Sequence, residues 1–255
     1  NEFGMIGRGI NNMLDHVNIL TRRIFNSQKR LYEAELAKQK LQMESLQQQI
    51  NSHFLFNTLT TIRAMALAKE TEPMVSVINS LVSMLRYSTK NAEFTTLGEE
   101  LKYLEVYLII QNARHNQIFT LNVNVDEVLY NCKVPKLILQ PFVENAIMHG
   151  FKDINGPKTI TITAEVADKT LELSIANNGA PIESSKMEWI KNMLKHSNPL
   201  SEEGRKHIGL TNVHERIQLY YGEEYGIDIK SEENSTVVFI RLPYKSELNL
   251  EDNHV

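Results

Sequence analysis

Cysteine is nearly missing from this chain of 255 residues, with Cys132 the only one. No internal disulfide can form, which fits a reducing compartment. Cys132 stands in YNCKVP among apolar neighbours and reads as a structural thiol. Excess positive charge is missing too. The 27 Lys and Arg against 31 Asp and Glu leave a formal charge of −4, and the isoelectric point is near 6.1. That balance argues against a nucleic-acid partner, which calls for a basic patch or stripe. No run approaches the roughly 20 apolar residues of a membrane span, and no signal-peptide pattern is present. Glycine is scarce, 11 residues in all, against an average usage of about 7%. The chain opens abruptly at Asn1 in NEFGMIGRGINNML, and it is expected to be a piece cut from a larger protein.

The length allows more than one domain. Residues 15–50 hold no Gly or Pro and are rich in Gln, Lys, Glu and Leu, all good helix formers. Leu36, Met43 and Ile50 recur at heptad spacing with Leu46 on the other seam position, which favours a dimeric coiled coil over a lone amphipathic helix. The helical pattern continues through His53 to about Ala68 and is expected to break at Pro73 in KETEP. Val77, Ile78, Leu81, Met84 and Leu85 resume it. A third helix is expected over 97–116, with Leu101, Leu104, Val106, Leu108 and Ile109 on its apolar side. This half reads as a helical bundle.

The period then changes. FTLNVNV (119–125) alternates as a strand does, and TITITAEV (159–166) with LELSIANN (171–178) reads as a hairpin across ADKT. A Trp-bearing helix follows at about 183–196, then a polar stretch at 197–207, a helix at about 209–220, and a closing hairpin of GIDIKS and TVVFIRLP. The fold class is therefore α+β and multidomain, with long helices first and a mixed sheet covered by helices on one face second. Residues 246–255 are a polar tail.

Four segments carry chemistry. In QINSHFLFN (49–57), His53 has Asn57 one helical turn later on the same face, and Phe54, Leu55 and Phe56 are placed to anchor the backbone by packing. A neutral imidazole is a competent nucleophile near neutral pH. Extending the heptad would bury His53 in the seam, so the register must slip nearby if it reacts. In QPFVENAIMHG (140–150), Glu144 and Asn145 interrupt an apolar helix, with His149 one turn on. They are either the wet face of that helix or a site in which the Asn oxygen meets Mg²⁺ and Glu144 acts as a base or orients water. In NNGAPI (177–182), Gly179 permits close ligand approach. In GRKHIGLTNVHERI (204–217), Gly209 opens a helix whose N-terminal amides suit phosphate.

This set resembles the sensor histidine kinases of the LytS/YesM-like subgroup over about residues 1–244. The acceptor motif of that subgroup reads Q-I-N-P-H-F-L-F/Y-N, and MLRYS (84–88), the Arg114 region, QPFVENAIMHG and IGLTNVHERI match its further motifs. NEFGMIGRGINNML resembles the second half of a HAMP linker. The resemblance implies a HAMP remnant at 1–25, a coiled coil and dimeric acceptor-helix region at 26–117, and a Bergerat-type (GHKL) ATP-binding sandwich at 118–245. It implies His53 as phosphoacceptor and Asn145 as the Mg²⁺ ligand, with Glu144 in the same box as the candidate base. Phe54 stands where other histidine kinases place an acid. The nucleotide would be held by Asn145, His149, Gly150, Asn177, Gly179, His207, Ile208, Gly209 and Leu210. The resemblance further implies a homodimer using ATP and Mg²⁺, a response-regulator receiver domain as partner, and an upstream membrane sensor. The chain would then be the cytoplasmic portion of a bacterial cell-membrane protein. Asn57 is a candidate for positioning water in a phosphatase reaction.

Ser52 replaces the usual Pro of the acceptor motif, Asn177 the more frequent Asp, and Pro181 and His207 replace glycines. These departures point to weaker nucleotide binding. They keep open a second class, a dimeric signalling scaffold with a degenerate pocket. A third class, a gyrase- or chaperone-like ATPase, would share the sandwich without needing the acceptor motif.

Overall fold

The computed structural model describes residue 28 and residues 52–90, 92–115, 119–152, 154–195 and 208–244. Residues 50–255 group into one compact unit. The HAMP-like segment 1–25, the heptad positions Leu36, Met43, Leu46 and Ile50, the stretch 197–207 with His207, and the tail 246–255 lie outside the described residues.

Helix α1 spans Ser52–Ala68 and α2 spans Thr71–Thr89. The break between them falls at Lys69, whose φ is +60°, rather than at Pro73. Pro73 sits in the first turn of α2, where a missing N–H leaves no intrahelical bond unmade. Helix α3, Leu97–His115, buries Leu97, Leu101, Leu104, Leu108 and Ile110. Ile109, expected on that face, is 43% exposed instead. A 3.6-residue period places 97, 101, 104 and 108 on one side and turns 109 away.

Two three-residue strands that periodicity does not reveal, β1 (Phe94–Thr96) and β3 (Lys133–Pro135), pair antiparallel and flank α3. Strand β2 (Phe119–Asn124) runs parallel to β4 (Lys158–Ala167). The connection between them carries a 3-10 turn (Glu127–Asn131), β3 and α4 (Gln140–Asn145). Strands β4 and β5 (Thr170–Asn177) form the expected hairpin, turning at Asp168 and Lys169 with φ of +48° and +66°. Helices α5 (Ser184–Lys195) and α6 (Ile208–Tyr221) precede the hairpin β6 (Gly226–Glu232) and β7 (Ser235–Pro243). The five-stranded sheet has the order β2-β4-β5-β7-β6.

Alternation decides which side of the sheet is covered. Ile160, Ile162, Leu171, Leu173, Ile175, Val238, Ile240 and Leu242 are buried with Phe142, Val143, Leu210, Val213 and Ile217 of the helices. The opposite face keeps Thr161, Thr163 and Ser174 partly accessible and Glu172 and Arg241 exposed, with Thr163 and Ser174 hydrogen-bonded at 2.7 Å. The fold is thus a helical region followed by an α/β sandwich of one mixed sheet and one layer of helices. No helix among the described residues is long and apolar enough to cross a membrane.

Candidate functional site

His53 lies one residue into α1, on its exposed side. The Asn57 side-chain nitrogen is 3.1 Å from His53 Nε2 and 3.3 Å from Nδ1, across one helical turn. Where the facing ring nitrogen is unprotonated, the amide N–H donates to the lone pair that a nucleophile would need. The neighbouring aromatics divide. Phe54 stacks on Tyr107 of α3 with ring centroids 5.7 Å apart, and the Arg114 guanidinium lies 5.6 Å from the Phe54 centroid. Phe56, expected to help anchor the backbone, is 72% exposed. Phe54 does the anchoring, with partly buried Leu55 behind it.

Glu144 and Asn145 are adjacent in sequence and face different partners. Asn145 lines a cavity of about 360 Å³ between α4, α5, α6 and the sheet. Glu144 is absent from that lining; its Oε1 accepts from Gln140 Nε2 at 2.7 Å. Burial pushes the Glu144 carboxyl upward, while Gln140, the Tyr107 hydroxyl and Arg114 oppose the shift. Tyr107 in turn accepts from Gln111, which takes a bond from Arg114 at 3.2 Å. Glu144 therefore belongs to a polar cluster on the α3 side, and the same Tyr107 that carries Phe54 touches it.

After Asn145 the helix loosens into a π-turn, Ala146–Gly150, closed by Phe151 N–H donating to the Ala146 carbonyl at 2.9 Å. Such turns re-aim side chains at functional sites. Here it brings His149 and Gly150 to the cavity wall, joined by Asn177, Pro181, Ile182, Lys186, Leu210 and Thr236. Burial and the nearby Lys186 and Lys152 hold the His149 imidazole below its ordinary value.

Asn177 ends β5, opposite Thr236 on β7. Its Nδ2 is buried without a hydrogen-bond partner, a state that disfavours folding unless a ligand or water completes it. The amide is packed between two glycines. A Cβ at Gly150 would lie 2.8 Å from Asn177 Nδ2, and one at Gly179 would lie 2.6 Å from it. The Ala180 N–H donates to the Gly150 carbonyl at 2.8 Å and fixes the two segments together. The donor set suits a purine base: an amide at the closed end, apolar walls from Ile182, Ile190, Ile229 and Val238, and Asn145 with Lys186 on the same cavity.

Of the residues singled out in the sequence, Asn145, His149, Gly150, Asn177 and Leu210 line one cavity. Gly179 sits behind Asn177. Gly209 faces Pro141, whose Cβ would be 3.4 Å from an added methyl group. Ile208 begins α6, and His207 lies outside the described residues. Lys186 and Thr236 were not anticipated. Thr236 was findable as the residue across the sheet from Asn177, whereas Lys186 sits on an amphipathic helix among other charges and gave no signal.

Two family models match the chain: Histidine kinase over residues 41–119, and Histidine kinase-, DNA gyrase B-, and HSP90-like ATPase over residues 133–246. The sensor histidine kinase YesM of Bacillus subtilis is 30% identical over 249 residues, 97% of this chain and 40% of that protein. The sensor protein kinase HptS of Staphylococcus aureus is 30% identical over 239 residues, 91% of this chain and 45% of that protein. The chain thus spans less than half the length of these two curated relatives. A solved histidine kinase domain from Erythrobacter litoralis superposes with a TM-score of 0.43 and 14% identity, covering 83% of this chain and 94% of that one. An acceptor-type helix and an ATPase-type sandwich in one chain define a two-part kinase core. The chain belongs to the sensor histidine kinase family.

Proposed function

We propose that this chain is the kinase portion of a two-component receptor, which phosphorylates its own His53 from ATP and passes the phosphoryl group to an aspartate of a response-regulator receiver domain. The observation that carries this reading is the pairing, within one chain, of an exposed His53 one turn from Asn57 with a cavity in which a buried, unpartnered Asn177 amide is cradled by Gly150 and Gly179. A scaffold without nucleotide chemistry has no use for that orphaned amide.

Asn177 binds the adenine edge, its amide replacing the carboxylate more frequent in relatives. The oxygen of Asn145 would hold Mg²⁺, which would supply charge neutralisation at the phosphates. Lys186 and the N-terminal end of α6 near Gly209 and Leu210 attract the phosphate end. Positioning supplies most of the rate. An imidazole nitrogen of His53 attacks the γ-phosphorus in line, the bond to the β,γ-bridging oxygen breaks, and ADP leaves. Glu144, whose proton affinity is raised by burial, takes the imidazole proton. Dephosphorylation of the regulator uses Asn57 to orient water.

The exposed apolar residues Phe56, Leu59 and Leu67 on α1 and Val75, Ile78 and Val82 on α2 support a homodimer of acceptor helices. We assign residues 1–25 to a HAMP remnant, 26–117 to the coiled coil and acceptor region, 118–245 to the ATP-binding domain and 246–255 to a tail. The resemblance at 1–25 carries the reading of a cytoplasmic portion beneath a membrane sensor.

Incubation with γ-labelled ATP and Mg²⁺, beside His53→Gln, tests the proposal. Acid-labile, alkali-stable label in the wild type alone is expected. Label retained in His53→Gln overturns the acceptor, and absence of both label and nucleotide binding overturns the kinase.

A further inference from the structure

Helix α4, which carries Glu144 and Asn145, is six residues long, and its N-cap, Leu139, offers no side-chain bond to the free N–H groups of the first turn. A carboxylate from another helix holds the segment that leads into it. The Glu100 carboxylate, fully buried at the start of α3, accepts from the backbone N–H groups of Leu137 at 2.6 Å, Ile138 at 3.0 Å and Leu139 at 3.3 Å. It also accepts from the Tyr87 hydroxyl at the end of α2. Leu137 has a φ of +57°, a left-handed conformation that a leucine holds only when its surroundings over-determine it.

The adjoining residue adds a second tie. The Lys136 ammonium, itself buried, donates to the carbonyls of Ser88 at 3.2 Å and Lys90 at 2.6 Å, capping the last turn of α2. It lies 5.2 Å from the Tyr87 ring centroid. The buried Arg216 of α6 places a positive charge toward Glu100. One carboxylate thus meets the end of α2 and the segment leading into α4. Burial pushes the Glu100 carboxyl upward, and the Tyr87 hydroxyl, the backbone N–H groups and Arg216 oppose it. Every one of those groups is a donor or a cation, so the arrangement is built for an acceptor.

We propose that Glu100 and Tyr87 are positioning residues for phosphotransfer: Glu100 sets the start of α4, and Tyr87 ties that carboxylate to the acceptor bundle, so that displacement of α2 re-aims Glu144 and Asn145. This rests on the kinase reading. It assigns a role within the MLRYS segment to one hydroxyl, at Tyr87. The adenine end is held by β5 and β7, away from this contact, so loosening it moves the catalytic step more than nucleotide capture.

Tyr87→Phe removes that hydroxyl and little else. The expected result is a fall in the saturating rate of His53 phosphorylation of about tenfold, with KM for ATP changed by less than about twofold. Glu100→Gln lowers the rate as well, and adding Tyr87→Phe to it brings no further loss, because both act through one contact. Backbone amide exchange over residues 137–145 quickens in Tyr87→Phe while exchange in β4 and β5 does not. A wild-type rate in Tyr87→Phe overturns the proposal, and so does a parallel loss of rate, ATP affinity and melting temperature, which marks a purely structural brace. Failure of Tyr87→Phe to fold likewise overturns it. If the wild type neither takes label nor binds an ATP analogue, the kinase reading fails separately. The exchange measurement then decides: faster exchange at 137–145 keeps the tie between α2 and α4, and unchanged exchange removes it.

Discussion

Adding a single methyl group at each of three glycines should have three different outcomes, graded by what the methyl meets. At Gly179 the new Cβ falls 2.6 Å from the Gly150 carbonyl carbon and 2.6 Å from Asn177 Nδ2, and it presses directly on the Gly150 carbonyl oxygen. The first and last of these are backbone atoms tied down by the Ala180–Gly150 hydrogen bond of 2.8 Å, so neither can give way. Overpacking of this kind destabilises by about 1–3 kcal/mol. For a folded unit of this size that is a fall of roughly 2–12 °C in Tm. Affinity for an ATP analogue should fall by at least about tenfold, since the amide that recognises the base must move. At Gly150 the methyl meets only the Asn177 amide, 2.8 Å away, and a side chain can rotate, so Gly150→Ala should lose affinity with a smaller loss of Tm. At Gly209 the nearest atom is Pro141 Cβ at 3.4 Å, an ordinary contact. Alanine is also a better helix former than glycine by about 1 kcal/mol, so Tm should hold or rise. Thermal unfolding and titration with a fluorescent ATP analogue read both quantities on each variant. Wild-type Tm and affinity in Gly179→Ala would refute the reasoning, as would a Gly209→Ala protein less stable than Gly179→Ala.

Further outcomes follow from the same site. Asn145→Ala should lower Mg²⁺-dependent turnover by ~100-fold or more, measured as label incorporated per unit time; unchanged turnover would remove Asn145 from the metal site. Asn57→Ala should slow dephosphorylation of a phosphorylated receiver domain by about 100-fold, and an unchanged decay rate would end the water-positioning role. Burial holds the His214 imidazole below its ordinary value of 6.5, and His115 and His149 shift the same way. The unfolded chain therefore takes up protons first as pH falls, so stability is present above about 6.5 and is lost on acidification through that value. The buried carboxyls of Glu100 and Glu144, pushed upward, act in the opposite sense, so the readout is the difference: from about pH 7.5 to about 5.5 the change in Tm should be less unfavourable in His214→Gln than in the wild type, and an equal slope in both would show that His214 is not a source.

Much of this was legible because it is written in periods. The hairpin β4–β5 showed as TITITAEV and LELSIANN, and its turn as the polar ADKT. The motif-bearing helix showed as an apolar run broken by Glu144 and Asn145. Other features leave no period to read. Strands of three residues, such as β1 and β3, alternate too briefly, and a π-turn depends on which carbonyl an N–H selects rather than on composition. Pro73 misled because a proline marks a helix start as well as a stop, and the difference lies in Lys69 adopting a positive φ. Phe56 misled because an aromatic in an acceptor helix reads as an anchor, yet only Phe54 faces Tyr107. Glu100 was the costliest omission. In LGEELKYL it sits on the stripe of Leu97, Leu101, Leu104 and Leu108, and a charge on an apolar stripe was the available sign. Its partners at Leu137–Leu139 lie too far along the chain for any local window to connect them.

The parallel pairing of β2 with β4 and the closing hairpin have a consequence for how the molecule comes into being. The cavity draws on residues from Phe142 to Val238, so on a growing chain it has no complete wall until β7 has been made. The contacts among α1, α2 and α3 are short-range by comparison and close early. On the kinase reading proposed above, the helix that presents His53 is then expected to close before the nucleotide cavity is complete. A newly made molecule is expected to pass through a stage in which the segment offered for phosphorylation is folded and the segment that would supply the phosphoryl group is not.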